Sequence, residues 1–408
     1  MKKLLYFSIL LLGVTSCFSQ NTQKNDEPNG EVILDVVVNQ PIVGAERMGE
    51  YLPLLQGKRV AVVGNQTSMV RKTHLVDTLL KCGIQIQKIL TPEHGFRGTA
   101  DAGAKVADGV DNVTGLPLVS LYGSHKKPTK EDLADVDIVV FDIQDVGARF
   151  YTYISTMHYV MEACAENNVK FLVLDRPNPN GHYVDGPVLD IRYKSFVGMH
   201  PVPIVHGMTI AEYARMINGE KWLANGVQCD LQYVTCENYD HSEQNAHYSL
   251  PIAPSPNLST DIAIALYPTL CLFEGTVMSV GRGTDKPFEM VGCPDFADTS
   301  FFFIPKSKQG ASKPMYENQK CYGYDYRTRI ILYYVNSLRI DIWKEMYKNY
   351  TGTKPFFNSF FTKLAGTPEL QKQLEDGKSE NEIRASWQEG LTQFKQIRSK
   401  YLLYEDFR

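Results

Sequence analysis

From Gly57 onward, short apolar runs rich in β-branched residues alternate with longer stretches of helical spacing, and this alternation constrains the fold more than any other feature. A strand buried on both faces reads as a continuous apolar run, and a helix-length connection is what parallel neighbours need. The pattern therefore predicts a parallel sheet covered by helices on both faces. The predicted strands are Arg59 to Val63, Gln87 to Leu90, Leu116 to Leu121, Ile138 to Phe141 and Phe171 to Leu174. Helices are predicted over Leu75 to Lys81 and Tyr151 to Asn167, giving a doubly wound α/β fold.

A later helix starts at Thr209-Ile210-Ala211-Glu212, a capping box in which Thr209 and Glu212 satisfy opposite ends of the first turn, and Gly219 can end it. Proline content rises between Pro251 and Pro268 and the alternation then stops, which places a domain boundary near residue 270. The second part runs through Gly-rich text at Glu274 to Glu289 and an aromatic segment from Tyr322 to Tyr350. It closes on a helix with a Ser379/Glu382 capping box. Ile383, Trp387, Leu391, Phe394 and Ile397 recur there at steps of three and four, the spacing of a core-facing stripe. Residues 44–269 are thus expected as the α/β domain and residues 270–408 as a smaller auxiliary α+β domain.

The chain begins Met1-Lys2-Lys3 followed by an apolar run from Leu4 to Val14, the charged and hydrophobic regions of a secretory signal and too short for a membrane span. Val14-Thr15-Ser16-Cys17 resembles a lipobox, so residues 1–17 are expected as a lipoprotein signal peptide with Cys17 as the lipidated residue. A simple signal peptide cut near Gln20 is the plainer alternative. Residues 18–43 are expected as a tether and lead-in, because the stretch up to residue 30 is polar and cannot bury itself. The expected location is exported, periplasmic or anchored to the outer membrane, with the membrane touched only through the lipid.

A net charge of -4 with no basic stripe argues against a nucleic-acid partner. Lipidation of Cys17 would leave seven of the eight cysteines, widely scattered and without metal-finger spacing, which suits small buried apolar side chains. A single bridge such as Cys229 to Cys236 is compatible with an oxidising compartment.

Polar chemistry collects where an open α/β sheet binds ligands, beyond the carboxyl ends of its strands. The first strand is followed by Gly64-Asn65-Gln66-Thr67-Ser68 and the second by Pro92-Glu93-His94-Gly95-Phe96-Arg97-Gly98. The fourth leads into Asp142-Ile143-Gln144-Asp145-Val146-Gly147-Ala148-Arg149-Phe150-Tyr151, and the fifth into Asp175-Arg176-Pro177-Asn178-Pro179-Asn180-Gly181. Any one of these loops has a structural explanation, since Asp142 or Asp175 can cap a helix and Asn-Pro-Asn is good turn chemistry. Several loaded strand ends together suit a hydroxyl-rich ligand. Glu93 sits beside aromatic and glycine neighbours that can suppress its ionisation and make it a proton donor, with His94 as support; an ion pair with Arg97 would instead keep it charged. The first turn lacks G-x-G-x-x-G, Gly281-Arg282-Gly283-Thr284 lacks the lysine of a nucleotide loop, and neither H-E-x-x-H nor G-x-S-x-G occurs. No cofactor or metal is expected.

With these motifs assembled, the chain from about Gly44 to Arg408 resembles the NamZ-type exo-β-N-acetylmuramidases, glycoside hydrolase family 171, once a bacterial domain of unknown function. The resemblance rests on the four loops above together with Pro254-Ser255-Pro256-Asn257-Leu258, Glu274-Gly275-Thr276 and Gly281-Arg282-Gly283-Thr284. It implies a Rossmann-like catalytic domain joined to a smaller C-terminal domain, with the active site between them. It further implies removal of N-acetylmuramic acid from the non-reducing end of peptidoglycan fragments, with the catalytic glutamate at Glu93.

Glycoside cleavage commonly uses a second carboxylate, for which Asp142 and Asp145 are candidates, or the substrate's own acetamido oxygen. Arg97, Arg149, Arg176 and Arg282 are candidates for the lactyl carboxylate, because the planar guanidinium matches a carboxylate. Asn65, Gln66, Asn178, His206 and Asn257 are candidates for the hydroxyls or the acetamido group, and Tyr151 for stacking on the sugar or donating a hydrogen bond to it. The rival from another class is a non-catalytic lipoprotein that binds peptidoglycan fragments.

Overall fold

The structure is a computed structural model that describes residues 40–93, 95–96, 108–242, 248–329 and 335–407. The predicted strands form as β1 (Arg59–Gly64), β4 (Gln85–Thr91), β6 (Pro117–Ser120), β7 (Ile138–Asp142) and β8 (Lys170–Leu174). Between β1 and β4 lie a two-residue hairpin, β2 (Met69–Val70) with β3 (Thr73–His74), and helix α2 (Leu75–Lys81), preceded in the chain by α1 (Met48–Leu55).

Two further strands complete the large sheet: β5 (Gly109–Val110), an antiparallel edge on β6, and β9 (Leu231–Val234), a parallel edge on β8. Sequence reading missed both because an edge strand needs no continuous apolar run. Leu231 and Gln232 are half-buried and Tyr233 is exposed. The sheet order β5-β6-β4-β1-β7-β8-β9 reverses direction between β1 and β7, as a doubly wound sheet requires.

The two faces of the sheet bury alternate residues, as a period of two dictates. Val60, Val62, Ile138, Val140, Leu172 and Leu174 pack on one side with α1 and α2, through Tyr51, Leu55, Leu75 and Leu79. Ala61, Val63, Val139, Phe141, Phe171 and Val173 pack on the other, against α4 (Tyr153–Glu166) and α5 (Ile210–Gly219). The short α3 (Lys130–Leu133) and α5 both open on capping boxes, the latter formed by Thr209 and Glu212 as expected.

That second core continues without a break into the C-terminal part. Helix α6 (Asp261–Leu270) leads into a small antiparallel sheet of β10 (Met290–Cys293), β12 (Cys321–Asp325) and β11 (Phe302–Phe303). The helices α7 (Ile340–Asn349), α8 (Ser359–Ala365), α9 (Glu369–Glu375) and α10 (Glu380–Arg398) follow. Trp343, Phe361, Leu370 and the α10 residues Ile383, Trp387, Leu391 and Phe394 join the same cluster as β7 and β8, with Ile397 partly buried against it. The fold is therefore α/β with a smaller C-terminal α+β part, and residues from Gln40 onward form one compact unit. Cys229 and Cys236 are separate buried thiols with no bridge between them, in line with the packing role of small apolar side chains. Cys17 lies outside the described residues.

Candidate active site

Because β1, β4, β6, β7 and β8 are parallel, the loops that follow them gather along one edge of the sheet. At its centre the chain fills the β1/β7 crevice with its own polar groups. Asn65 turns back so that its Oδ1 accepts from the Thr67 N–H and hydroxyl at 2.9 and 2.6 Å. The Thr67 hydroxyl in turn accepts from the Gln144 N–H at 3.0 Å. Arg176 donates to both oxygens of Asp142 at 2.6 and 2.9 Å, and both side chains are buried.

These contacts revise several expected roles. Asp142 is 0% exposed and is used in full to neutralise Arg176, so it is a brace and not a cavity carboxylate. Arg149 is equally buried and donates to four backbone carbonyls, those of Pro187, Val202, Leu364 and Ala365, which excludes it from ligand binding. Asn178 donates to the Met208 carbonyl and accepts from Asn180 N–H. It also backs Gly147, whose φ of 75° and 2.4 Å clearance for a Cβ admit only glycine. Gln66 donates to the carbonyls of Ala253 and Pro254, Asn257 to that of Gly310, and His206 Nδ1 accepts from Met208 N–H. The physical reason is shared: loops packed over a sheet carry buried backbone groups that need partners, and these amides and guanidiniums supply them. His94 and Arg97 lie outside the described residues.

Beside this network opens a cavity of about 200 Å³ whose wall includes Glu93. Glu93 follows β4, and its carboxylate is fixed by hydroxyls from two other elements. Tyr122, just after β6, donates to Oε1 at 3.0 Å, and Thr152, at the amino end of α4, donates to Oε2 at 2.8 Å. Burial and then the charge of Glu93 push the Tyr122 hydroxyl well above its ordinary value, so it stays a donor at neutral pH. Tyr151 stands edge-on between Tyr153 and Tyr267, with ring centroids 4.9 and 5.6 Å away, and all three line the cavity. Residues from beyond position 250 complete the lining, among them Ser255, Glu274, Arg282, Phe288, Phe360 and Leu364. Arg282 Nε donates to Glu274 Oε1 at 2.5 Å.

Of the residues singled out from sequence, Glu93, Tyr151 and Arg282 meet around this cavity. Sequence reasoning missed Tyr122, Thr152, Tyr153 and Glu274. Tyr122 directly follows the third strand, whose loop was given no functional role, and Glu274 lay in the recognised Glu274-Gly275-Thr276 text without a role. Of the residues assigned to binding by type, Gln66, Arg149, Asn178 and Asn257 serve the backbone instead, and Arg176 serves Asp142.

Asp145 sits behind the cavity with its Oδ2 accepting from the Gly147 N–H at 2.7 Å. Burial pushes its carboxyl up to about 7 against the pull of the Gly147 and Val146 N–H groups. Burial also pushes the nearby His206, 3.9 Å from Asp145, down to about 3, so the imidazole is neutral and does not offset the carboxylate. An acid whose folded value lies above its ordinary 3.8 adds stability at low pH and loses it as pH rises through about 7. The urea midpoint of Asp145→Asn minus that of the wild type is therefore expected to increase from about pH 4 to about pH 7. A difference that stays flat over this range would contradict the assignment.

Among the described residues no group of three or more His, Cys, Asp and Glu side chains is placed to hold a metal ion. Comparison with known proteins gives a consistent result. Residues 60–262 match the family described as exo-beta-N-acetylmuramidase NamZ, N-terminal, and residues 265–404 match its C-terminal counterpart. The chain is 38% identical over 374 residues to the peptidoglycan beta-N-acetylmuramidase NamZ of Bacillus subtilis (strain 168), covering 87% of this chain and 89% of that protein. A crystal structure of a DUF1343 family protein from Bacteroides fragilis NCTC 9343 superposes with a TM-score of 0.83 at 44% identity, over 90% of this chain and 100% of the other. A second DUF1343 family protein of that organism superposes with a TM-score of 0.74 at 28% identity, over 90% and 99%. With both halves matched in order over the parts that line the cavity, the chain belongs to the NamZ exo-β-N-acetylmuramidase family.

Proposed function

We propose that the chain is an exo-acting glycosidase that releases N-acetylmuramic acid from the non-reducing ends of peptidoglycan fragments, with Glu93 as general acid and then base. The observation that carries this reading is the placement of Glu93 on the wall of a small aromatic-lined cavity, both oxygens held by hydroxyls. A hydroxyl can donate to a carboxylate or accept from a carboxylic acid, so Tyr122 and Thr152 can accompany Glu93 through both protonation states. The aromatic lining by Tyr151, Tyr153 and Tyr267 suits a sugar ring.

Asp142 is withdrawn from the second catalytic role by its pairing with Arg176. Among the described residues Glu274 is the other carboxylate lining the cavity, but its oxygens are engaged by Arg282 at 2.5 Å and by the Cys271 thiol at 3.7 Å. Attack by the acetamido oxygen of the substrate needs no further carboxylate and is the route this wall supports best. Incubation with a chromogenic β-N-acetylmuramide is expected to release the chromophore, whereas binding without turnover would overturn the reading in favour of a receptor.

The reading includes export and lipid anchoring for cell-wall turnover, supported by the charged start, the apolar run to Val14 and the Val14-Thr15-Ser16-Cys17 text. Cys17→Ala is expected to move the protein from the detergent phase to the aqueous phase on phase separation of producing cells. Equal partitioning of variant and wild type would remove the anchor from the account.

A further inference from the structure

Of the four arginines able to meet a substrate carboxylate, Arg149 and Arg176 are consumed by buried partners and Arg97 lies outside the described residues. Arg282 is different. It lines the cavity, its side chain keeps 24% of its surface, and only Nε is engaged among the described residues, by Glu274. The guanidinium of this lining residue carries four more N–H donors on Nη1 and Nη2, for which the described residues supply no hydrogen-bond acceptor.

Its surroundings hold it in place. The Phe288 ring lies under the guanidinium carbon at 4.9 Å, an attractive face for a cation. Glu274, held in turn by the Cys271 thiol, fixes the guanidinium plane through Nε. Burial works against the charge on Arg282, but the Glu274 carboxylate outweighs it and holds the pKa above the ordinary value. The backbone is set as tightly: Gly281 and Gly283 flank Arg282 with φ of 78° and 83°, and a Cβ on Gly283 would fall 2.6 Å from the Lys306 carbonyl. A fixed guanidinium with a free edge at a cavity is a receptor for a planar anion.

We propose that the free Nη edge of Arg282 binds the carboxylate of the lactyl ether of the terminal sugar, and that Glu274 and Phe288 are positioning residues for it. The pair would then make the site selective for N-acetylmuramic acid over N-acetylglucosamine, which differs by that ether. This rests on the function proposed above, whose cavity supplies the sugar.

The test compares chromogenic β-glycosides of N-acetylmuramic acid, of its lactyl methyl ester and of N-acetylglucosamine. The wild type is expected to prefer the acid to the ester by about 10- to 100-fold in kcat/KM, the range for a charge-assisted paired hydrogen bond. Arg282→Met is expected to bring the acid-to-ester ratio close to one, with the loss carried mainly in KM for the acid. Arg282→Lys is expected to retain part of the ratio, and Glu274→Gln to lower it by about tenfold by freeing the guanidinium. Unchanged ratios in Arg282→Met and Arg282→Lys, or equal losses of kcat on acid and ester, would overturn the proposal. If the wild type cleaves none of the three, the glycosidase reading fails by itself. Calorimetric binding of free N-acetylmuramic acid against its methyl ester then tests Arg282 alone, with a lost preference in Arg282→Met expected and an equal affinity of the wild type for both overturning it.

Discussion

Replacing Glu93 by Gln is expected to lower kcat for release of N-acetylmuramic acid by about 10²- to 10⁴-fold, the range for removal of a positioned general acid. The amide keeps the shape of the carboxylate, its oxygen can accept from Tyr122, and its nitrogen can donate to the Thr152 hydroxyl. Substrate affinity and the urea midpoint should therefore move little, and the loss should fall on kcat. A variant with normal turnover would remove Glu93 from the chemistry, and one that unfolds would show that the carboxylate serves the loop after β4.

The second large effect concerns Arg149, which sequence reading placed in the ligand site and the structure places in the core. Its guanidinium joins the carbonyls of Pro187 and Val202 to those of Leu364 and Ala365 at the end of α8, at 2.7 to 2.9 Å. Burial pushes its pKa down to about 9, which leaves it charged at neutral pH. Arg149→Met abandons four buried acceptors at about 1 kcal/mol or more each, so a loss on the order of 4 kcal/mol is expected from urea unfolding. Because α8 contributes Phe360 and Leu364 to the cavity wall, kcat/KM of the folded fraction should fall as well. A destabilisation below about 1 kcal/mol would mean that water replaces the guanidinium.

The fold was legible where burial is two-sided. Val60 to Val63, Ile138 to Phe141 and Phe171 to Leu174 are continuous apolar runs because helices cover both faces, and nothing but a central strand explains them. The edge strand Leu231–Val234 was not legible, since half of it faces solvent. In the site, Glu93 was legible as a carboxylate in a loop beyond a strand, but its neighbours were not. Tyr122 and Thr152 carry no sequence pattern, and their relation to Glu93 exists only once β4, β6 and α4 converge. Arg149 and Arg282 are indistinguishable as letters. One meets backbone carbonyls in the core and the other a carboxylate at a cavity, and long-range packing decides which.

The most direct test of the central claim follows the products formed from glycan chains of alternating N-acetylglucosamine and N-acetylmuramic acid, by mass spectrometry over time. An exo-acting enzyme selective for the terminal acid is predicted to remove a single N-acetylmuramic acid from chains that end in it at the non-reducing end. It should then stop at the exposed N-acetylglucosamine and leave chains that begin with N-acetylglucosamine intact. Internal fragments, release from both kinds of chain, or no release from either would contradict the account.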